Sequence, residues 1–61
     1  MPEFMIVVQF YEKKFVSYFT KFSETVSNMC ETFRSLEHPY EVYHYDPEYG
    51  YVRTTRWPAK T

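Results

Sequence analysis

Cys30, His38, His44, Asp46 and Glu48 are the side chains of this 61-residue chain best equipped to attack a bond, move a proton or hold a metal. Cys30 with His38 or His44 as base would make an activated thiolate. The thiol stands, however, with Val26, Met29, Phe33 and Leu36 at spacings of three and four residues, the period of an apolar helix stripe. That places Cys30 in the core as a small hydrophobe. Structural zinc takes close ligand pairs such as C-x-x-C or H-x-x-x-H, and a single cysteine with two histidines supplies neither. Asp46 and Glu48 flank Pro47, where a turn accounts for the first and solvent for the second, and no pocket-forming sequence surrounds them. With one glycine in the chain there is no phosphate-cradling loop. The expectation is a protein without catalytic residues, metal or cofactor.

The other candidates are rings. Fourteen of the 61 residues are Phe, Tyr or Trp, and six of them fall between Tyr40 and Trp57, interleaved with Arg53 and Arg56. A domain of this length buries only about 60% of the surface its unfolded chain exposes. A buried ring takes up roughly 150–250 Å², so one thin core cannot cover fourteen. Some rings must be exposed or shared with a partner. Rings beside Arg suit a protein interface, where Tyr, Trp, Met and Arg are enriched. They also suit a sheet that stacks single-stranded bases.

Charge separates the two readings. The net charge is -1, and phosphate binding needs several uncompensated cations. A protein partner is therefore favoured over nucleic acid. The charge is also unevenly spread: residues 1–22 sum to +1, residues 23–48 to -5 and residues 49–61 to +3. A lone cysteine and the lack of any long apolar run predict a soluble, cytoplasmic protein of a reducing compartment, without a membrane span or signal peptide.

The elements that must position these residues are four strands and one helix in a single domain over residues 1–61. Met1 to Phe4 precede a second methionine, Met5, and Glu3-Phe4 is what an in-frame GAATTC cloning site encodes, so the native start is either Met1 or Met5. Residues 58–61 read as a flexible tail. Phe4 to Tyr11 is apolar except for Gln9, which suits a central strand covered on both faces. Glu12-Lys13-Lys14 interrupts it, and Phe15 to Phe22 resumes as a second strand, with Tyr11 expected opposite Phe15. That register places Phe4, Ile6, Val8 and Phe10 with Val16, Tyr18 and Phe22 on one face, and Met5, Val7, Gln9, Ser17, Phe19 and Lys21 on the other.

Ser23 offers a hydroxyl to cap a helix, Glu24 sits in its positive first turn, and the stripe from Val26 to Leu36 faces the core. Glu24, Asn28, Glu31 and Ser35 take the solvent side. Pro39 restricts His38 and predicts an end near Glu37. Asp46, Pro47 and Gly50 predict a second hairpin with a four-residue loop, pairing Tyr40 with Trp57, Glu41 with Arg56, Val42 with Thr55, Tyr43 with Thr54 and His44 with Arg53.

The order hairpin, helix, hairpin with a right-handed crossover predicts an α+β ββαββ domain. Its antiparallel four-stranded sheet has order 2-1-3-4, with the helix on one face. Tyr43, Tyr45, Val52 and Thr54 are expected under the helix. Tyr40, Val42, His44, Tyr51, Arg53 and Trp57 are expected on the open side, beside Met5, Val7 and Phe19. The rhythm of Phe15 to Phe22, then Ser23-Glu24-Thr25-Val26, then Tyr40-Glu41-Val42 resembles that of small phage-encoded inhibitors of host enzymes, such as the RNA-polymerase inhibitors of T7-like phages. The resemblance is one of architecture and transfers no functional residue. It implies a larger protein partner in a host cytoplasm. The sequence thus predicts an interaction protein that binds a larger partner or a second copy of itself through Tyr40, His44, Tyr51, Arg53 and Trp57. A single-stranded nucleic acid on the same face is the alternative.

Overall fold

The computed structural model describes residues 2–59, in the order β1 (Phe4–Phe10), β2 (Lys13–Phe19), α1 (Glu24–Ser35), β3 (Tyr40–Asp46) and β4 (Gly50–Trp57). Every neighbouring pair is antiparallel and the sheet order is β2-β1-β3-β4, the predicted ββαββ topology. The apolar run of β1 earns its central place because β2 and β3 satisfy its backbone on both sides.

The helix lies over one face only. Ile6 and Val8 from β1, Tyr40 and Val42 from β3, and Val26 and Cys30 from α1 form the buried core, with Phe4, Phe10, Phe19, Met29, Phe33 and Trp57 packed around it. Full burial of an aliphatic side chain contributes about 1.5–3 kcal/mol, so this short set carries much of the fold. The Tyr40 hydroxyl reaches the core boundary and accepts a hydrogen bond from Arg34, which leaves the buried phenol satisfied.

The helix ends differ in detail from expectation. Ser23 occupies the N-cap position with extended backbone, but its hydroxyl makes no capping bond, and its carbonyl accepts from the Ser27 N–H at 2.9 Å. The helix stops at Ser35, two residues before the predicted end. Glu37 takes left-handed backbone (φ 60), its N–H donates to the Arg34 carbonyl and the His38 N–H donates to the Phe33 carbonyl. This is the paired closing motif in which glycine is usual. Leu36 lies past the last turn and is exposed rather than part of the core stripe.

Both hairpins depart from the predicted register. In the first, Phe10 pairs with Lys13 and Val8 with Phe15, so the turn is Tyr11-Glu12 with Tyr11 left-handed (φ 57). Phe15, Ser17 and Phe19 therefore share the face of Ile6 and Val8, while Val16 and Tyr18 share that of Met5 and Val7. Lys13 and Lys14, expected to interrupt the strand, belong to β2. On an edge strand exposed on both faces, they keep their hydration at no cost.

In the second hairpin the predicted pairs hold from Tyr40–Trp57 to Val42–Thr55. Beyond them one residue of β4, Thr54, has no partner, and Tyr43 pairs with Arg53, His44 with Val52 and Asp46 with Gly50. The loop is Pro47–Tyr49, shorter by one than predicted. Asp46 Oδ1 accepts from the N–H groups of Glu48 and Tyr49 at 2.7 and 3.1 Å, and Gly50 (φ 80) returns the chain. The bulge absorbs the residue that the shorter loop releases.

The faces of β3 are the reverse of those predicted: Tyr40, Val42 and His44 lie on the helix side, and Glu41, Tyr43 and Tyr45 on the open side. The physical reason is Glu41. Turned inward, its carboxylate would sit beneath the helix away from water, at a cost far above that of exposing a tyrosine.

Candidate interaction face

The uncovered side of the sheet can be built row by row from the strand pairings. Tyr18, Met5, Tyr43 and Arg53 form one row across all four strands; Val16, Val7, Glu41 and Arg56 form the next. Tyr45 pairs with Tyr51 toward the β3–β4 turn. The bulge is what keeps these together. Arg53 and Arg56 are three apart in sequence and would take opposite faces of a regular strand, whereas the unpaired Thr54 restores them to the same one. Thr54 holds the distortion by donating its hydroxyl to the Val42 carbonyl at 3.2 Å.

Tyr51 is the hub of the rings. Its centroid lies 5.3 Å from that of Tyr45 in an edge arrangement and 5.9 Å from that of Tyr18, which it reaches across the two central strands. Its hydroxyl donates to the Pro2 carbonyl at 2.7 Å, and the Tyr45 N–H donates to the Glu3 carbonyl at 2.8 Å, so residues 2 and 3 extend this corner of the sheet. Burial against its neighbours, with Tyr18 and Tyr45 nearby, pushes the Tyr51 phenol above its ordinary range.

Glu41 is the polar centre. It accepts from Arg53 Nη1 at 3.0 Å and from the Tyr43 hydroxyl at 3.0 Å. The Arg53 bond, foremost, outweighs partial burial and holds the Glu41 carboxyl below the usual carboxylate range. Burial, followed by the bond to Glu41, raises the Tyr43 phenol. Arg56, opposite Glu41 in the ladder, leaves this carboxylate to Arg53 and lines a half-open groove with Val7, Gln9, Lys14 and Pro58.

The five residues singled out from sequence do not share a face. Tyr51 and Arg53 lie on the open side. Tyr40 is buried beneath the helix, and Trp57 stacks on it with centroids 6.3 Å apart and planes 16° apart. His44 is on the helix side, 5.0 Å from the Phe4 ring and 3.7 Å from the Glu3 carboxylate. The separation follows from the parity of β3 already described. Sequence reasoning missed Tyr18, Tyr43, Tyr45 and Glu41. The available signal was that Glu41, Arg53 and Arg56 had to be solvated together, which marks their face as the uncovered one.

Elsewhere the polar chemistry is sparse. Cys30 is buried, and desolvation raises its thiol against the lowering effects of Arg34 and a bond to Tyr40. His38 stacks on Phe10 with centroids 4.1 Å apart. Among the described residues, no group of three His, Cys, Asp or Glu side chains comes together as a metal site, and no helix is long and apolar enough to cross a membrane. Residues 60 and 61 of the expected tail lie outside the described residues. No protein family, curated protein or solved structure matches the chain.

Proposed function

We propose that this is a non-enzymatic interaction protein that binds a larger protein through the open face of its sheet. The observation that carries the reading is the composition of that face: four tyrosines with Met5, Val7 and Val16 surround one ion pair, on a side that no element among the described residues covers. Interfaces are anchored by such residues, because rings bring area with few rotors to immobilise and the central polar pair fixes orientation. Tyr43, Tyr51 and Arg53 are the anchors, with Tyr18 and Tyr45 beside them. The buried thiol suits a reducing compartment, the cytoplasm, and the architecture suits an inhibitor that occupies a site on a host enzyme, as in the phage proteins it resembles.

Nucleic acid is the second reading, favoured by the exposed Tyr18 and the half-buried Tyr43, Tyr45 and Tyr51 with Lys14 and Arg56 on one face. It is the weaker one, because Arg53 is already committed to Glu41 and phosphate binding needs free cations.

The deciding experiment is capture from the source cell or its host, identified by mass spectrometry and followed by titration of the purified partner. Tyr51→Ala is expected to cost about 2 kcal/mol of affinity, roughly 30-fold. Single-stranded oligonucleotides are expected to bind no tighter than about 10⁻⁴ to 10⁻⁶ M at physiological salt. Submicromolar oligonucleotide binding with a steep salt slope, lost in Arg53→Ala, would replace the protein reading with the nucleic-acid one.

A further inference from the structure

The two edges of the sheet are not alike. Which backbone groups each presents follows from the ladder. The Gln9 N–H donates to Pro39 and the Glu3 carbonyl accepts from Tyr45, so the odd-numbered residues of β1 aim at β3 and the even-numbered ones at β2. Their partners Lys13, Phe15, Ser17 and Phe19 spend their backbone groups on β1. Lys14, Val16 and Tyr18 therefore turn both N–H and C=O outward, at regular two-residue spacing.

The usual protections of an edge are missing from the middle of β2. Edge strands are normally blunted by a bulge, a proline or a central charge, yet Phe15 to Phe19 has none of these, and Phe15, Val16 and Tyr18 are 50%, 50% and 55% exposed. The opposite edge is protected. On β4 the outward residues are Tyr51, Arg53 and Arg56, unevenly spaced because of Thr54 and carrying two charges.

We infer that β2 pairs antiparallel with β2 of a second copy about a two-fold axis through Val16, joining two sheets into one of eight strands. The register follows from symmetry. A two-fold perpendicular to the sheet keeps each face on its own side, so paired residues must have the same parity. Centring on Val16 alone engages all three outward residues of each strand: Val16 with Val16, and Lys14 with Tyr18 twice over. The same centre sets Phe15 against Ser17 and Lys13 against Phe19 on the helix side. No like charges face each other directly, and each Lys14 ammonium meets a tyrosine ring. Registers displaced by two residues leave one outward residue of each strand unpaired, and centring on Ser17 opposes Lys13 to Lys21.

This pairing uses the sheet edge and stands independently of the open-face reading. The test is sedimentation equilibrium from micromolar to millimolar concentration on the intact chain, with amide hydrogen exchange at both ends of the range. A species of twice the 7.5 kDa chain mass is expected to grow with concentration, as the Lys14, Val16 and Tyr18 amides slow at least tenfold. Val16→Pro removes an N–H that points away from β1, and Val16→Lys sets two ammonium groups at the axis. Both are expected to be monomeric with an unchanged far-ultraviolet circular dichroism spectrum, the second covering the case in which the first unfolds. Tyr43→Ala, on the open face, is expected to weaken partner capture while the dimer persists. A wild-type monomer throughout, a dimer indifferent to Val16→Lys, or a dimer lost in Tyr43→Ala would each overturn the inference.

Discussion

The two faces of this sheet draw on the same residue types for opposite ends. On the covered face, Tyr40 and Trp57 stack nearly parallel, and Arg34 satisfies the Tyr40 hydroxyl, so the rings act as core. On the open face, Tyr18, Tyr45 and Tyr51 meet at tilted or edge angles around an ion pair between Glu41 and Arg53. Ring count alone does not say which face stays open. Placement of the charges does, because a carboxylate tolerates only the side that water reaches.

The strongest way to break this comparison is to truncate the covered face. Ile6→Ala removes a side chain 1% exposed, and urea denaturation should show a loss of about 2–5 kcal/mol. That is much of the roughly 3–9 kcal/mol available to a domain of this size. Partner affinity per folded molecule should be unchanged.

A paired test sharpens the contrast within one hairpin. Trp57→Ala is expected to cost about 2 kcal/mol of stability, below the ~3–5 of a fully buried tryptophan, with little effect on affinity. Tyr51→Ala should do the reverse, with the affinity loss given above and less than about 1 kcal/mol of stability. Equal losses of affinity from both would mean that binding straddles the two faces.

Arg53→Ala leaves Glu41 without its ion-pair partner and should destabilise the fold by only about 0.2–1 kcal/mol, because the pair is largely solvated. The thermal midpoint should respond less to added salt in this variant than in wild type.

The smallest effect is on pH. Glu41 has its pKa lowered by Arg53, so its contribution is present above the ordinary value near 4.5 and is lost as pH falls through the lower folded value. Tyr43 has its pKa raised by burial and by Glu41, so its contribution is present below about 10 and is lost as pH rises through the higher folded value. A plateau in thermal midpoint between those limits is expected, with limbs of a few tenths of a kcal/mol after solvent screening. Glu41→Gln should flatten the acid limb.

Topology was legible in the sequence because it rests on averages over whole segments: the apolar run of β1, the 3.6-residue stripe of α1 and the turn residues around Pro47. The two register errors and the early helix end each came from a single residue that broke a local preference. Tyr11 and Glu37 adopt left-handed backbone without being glycine, and Thr54 lies outside the ladder. Tyr40, His44 and Trp57 changed side for another reason: the pairing of Tyr40 with Trp57 was as expected, but the open side was assigned by its rings rather than by Glu41. Tyr51 and Arg53 kept their predicted side because the one-residue shift between the turn and the bulge and the reversal of the faces of β3 offset each other.

If copies pair through β2 as inferred above, Thr54 also sets how far that assembly would spread. Without it the pairing would run regularly from Arg53–Tyr43 to Thr55–Val42, and every side chain of β4 would keep its present side. The change would fall on the outer backbone, whose free amides would become evenly spaced along a second edge, guarded only by the two arginines. A subunit with two such edges no longer stops at a pair. Copies would alternate β2 and β4 contacts without end, as in a cross-β ribbon. In that assembly Thr54 would act as a chain terminator, with the charges of Arg53 and Arg56 as the remaining guard against a fibre.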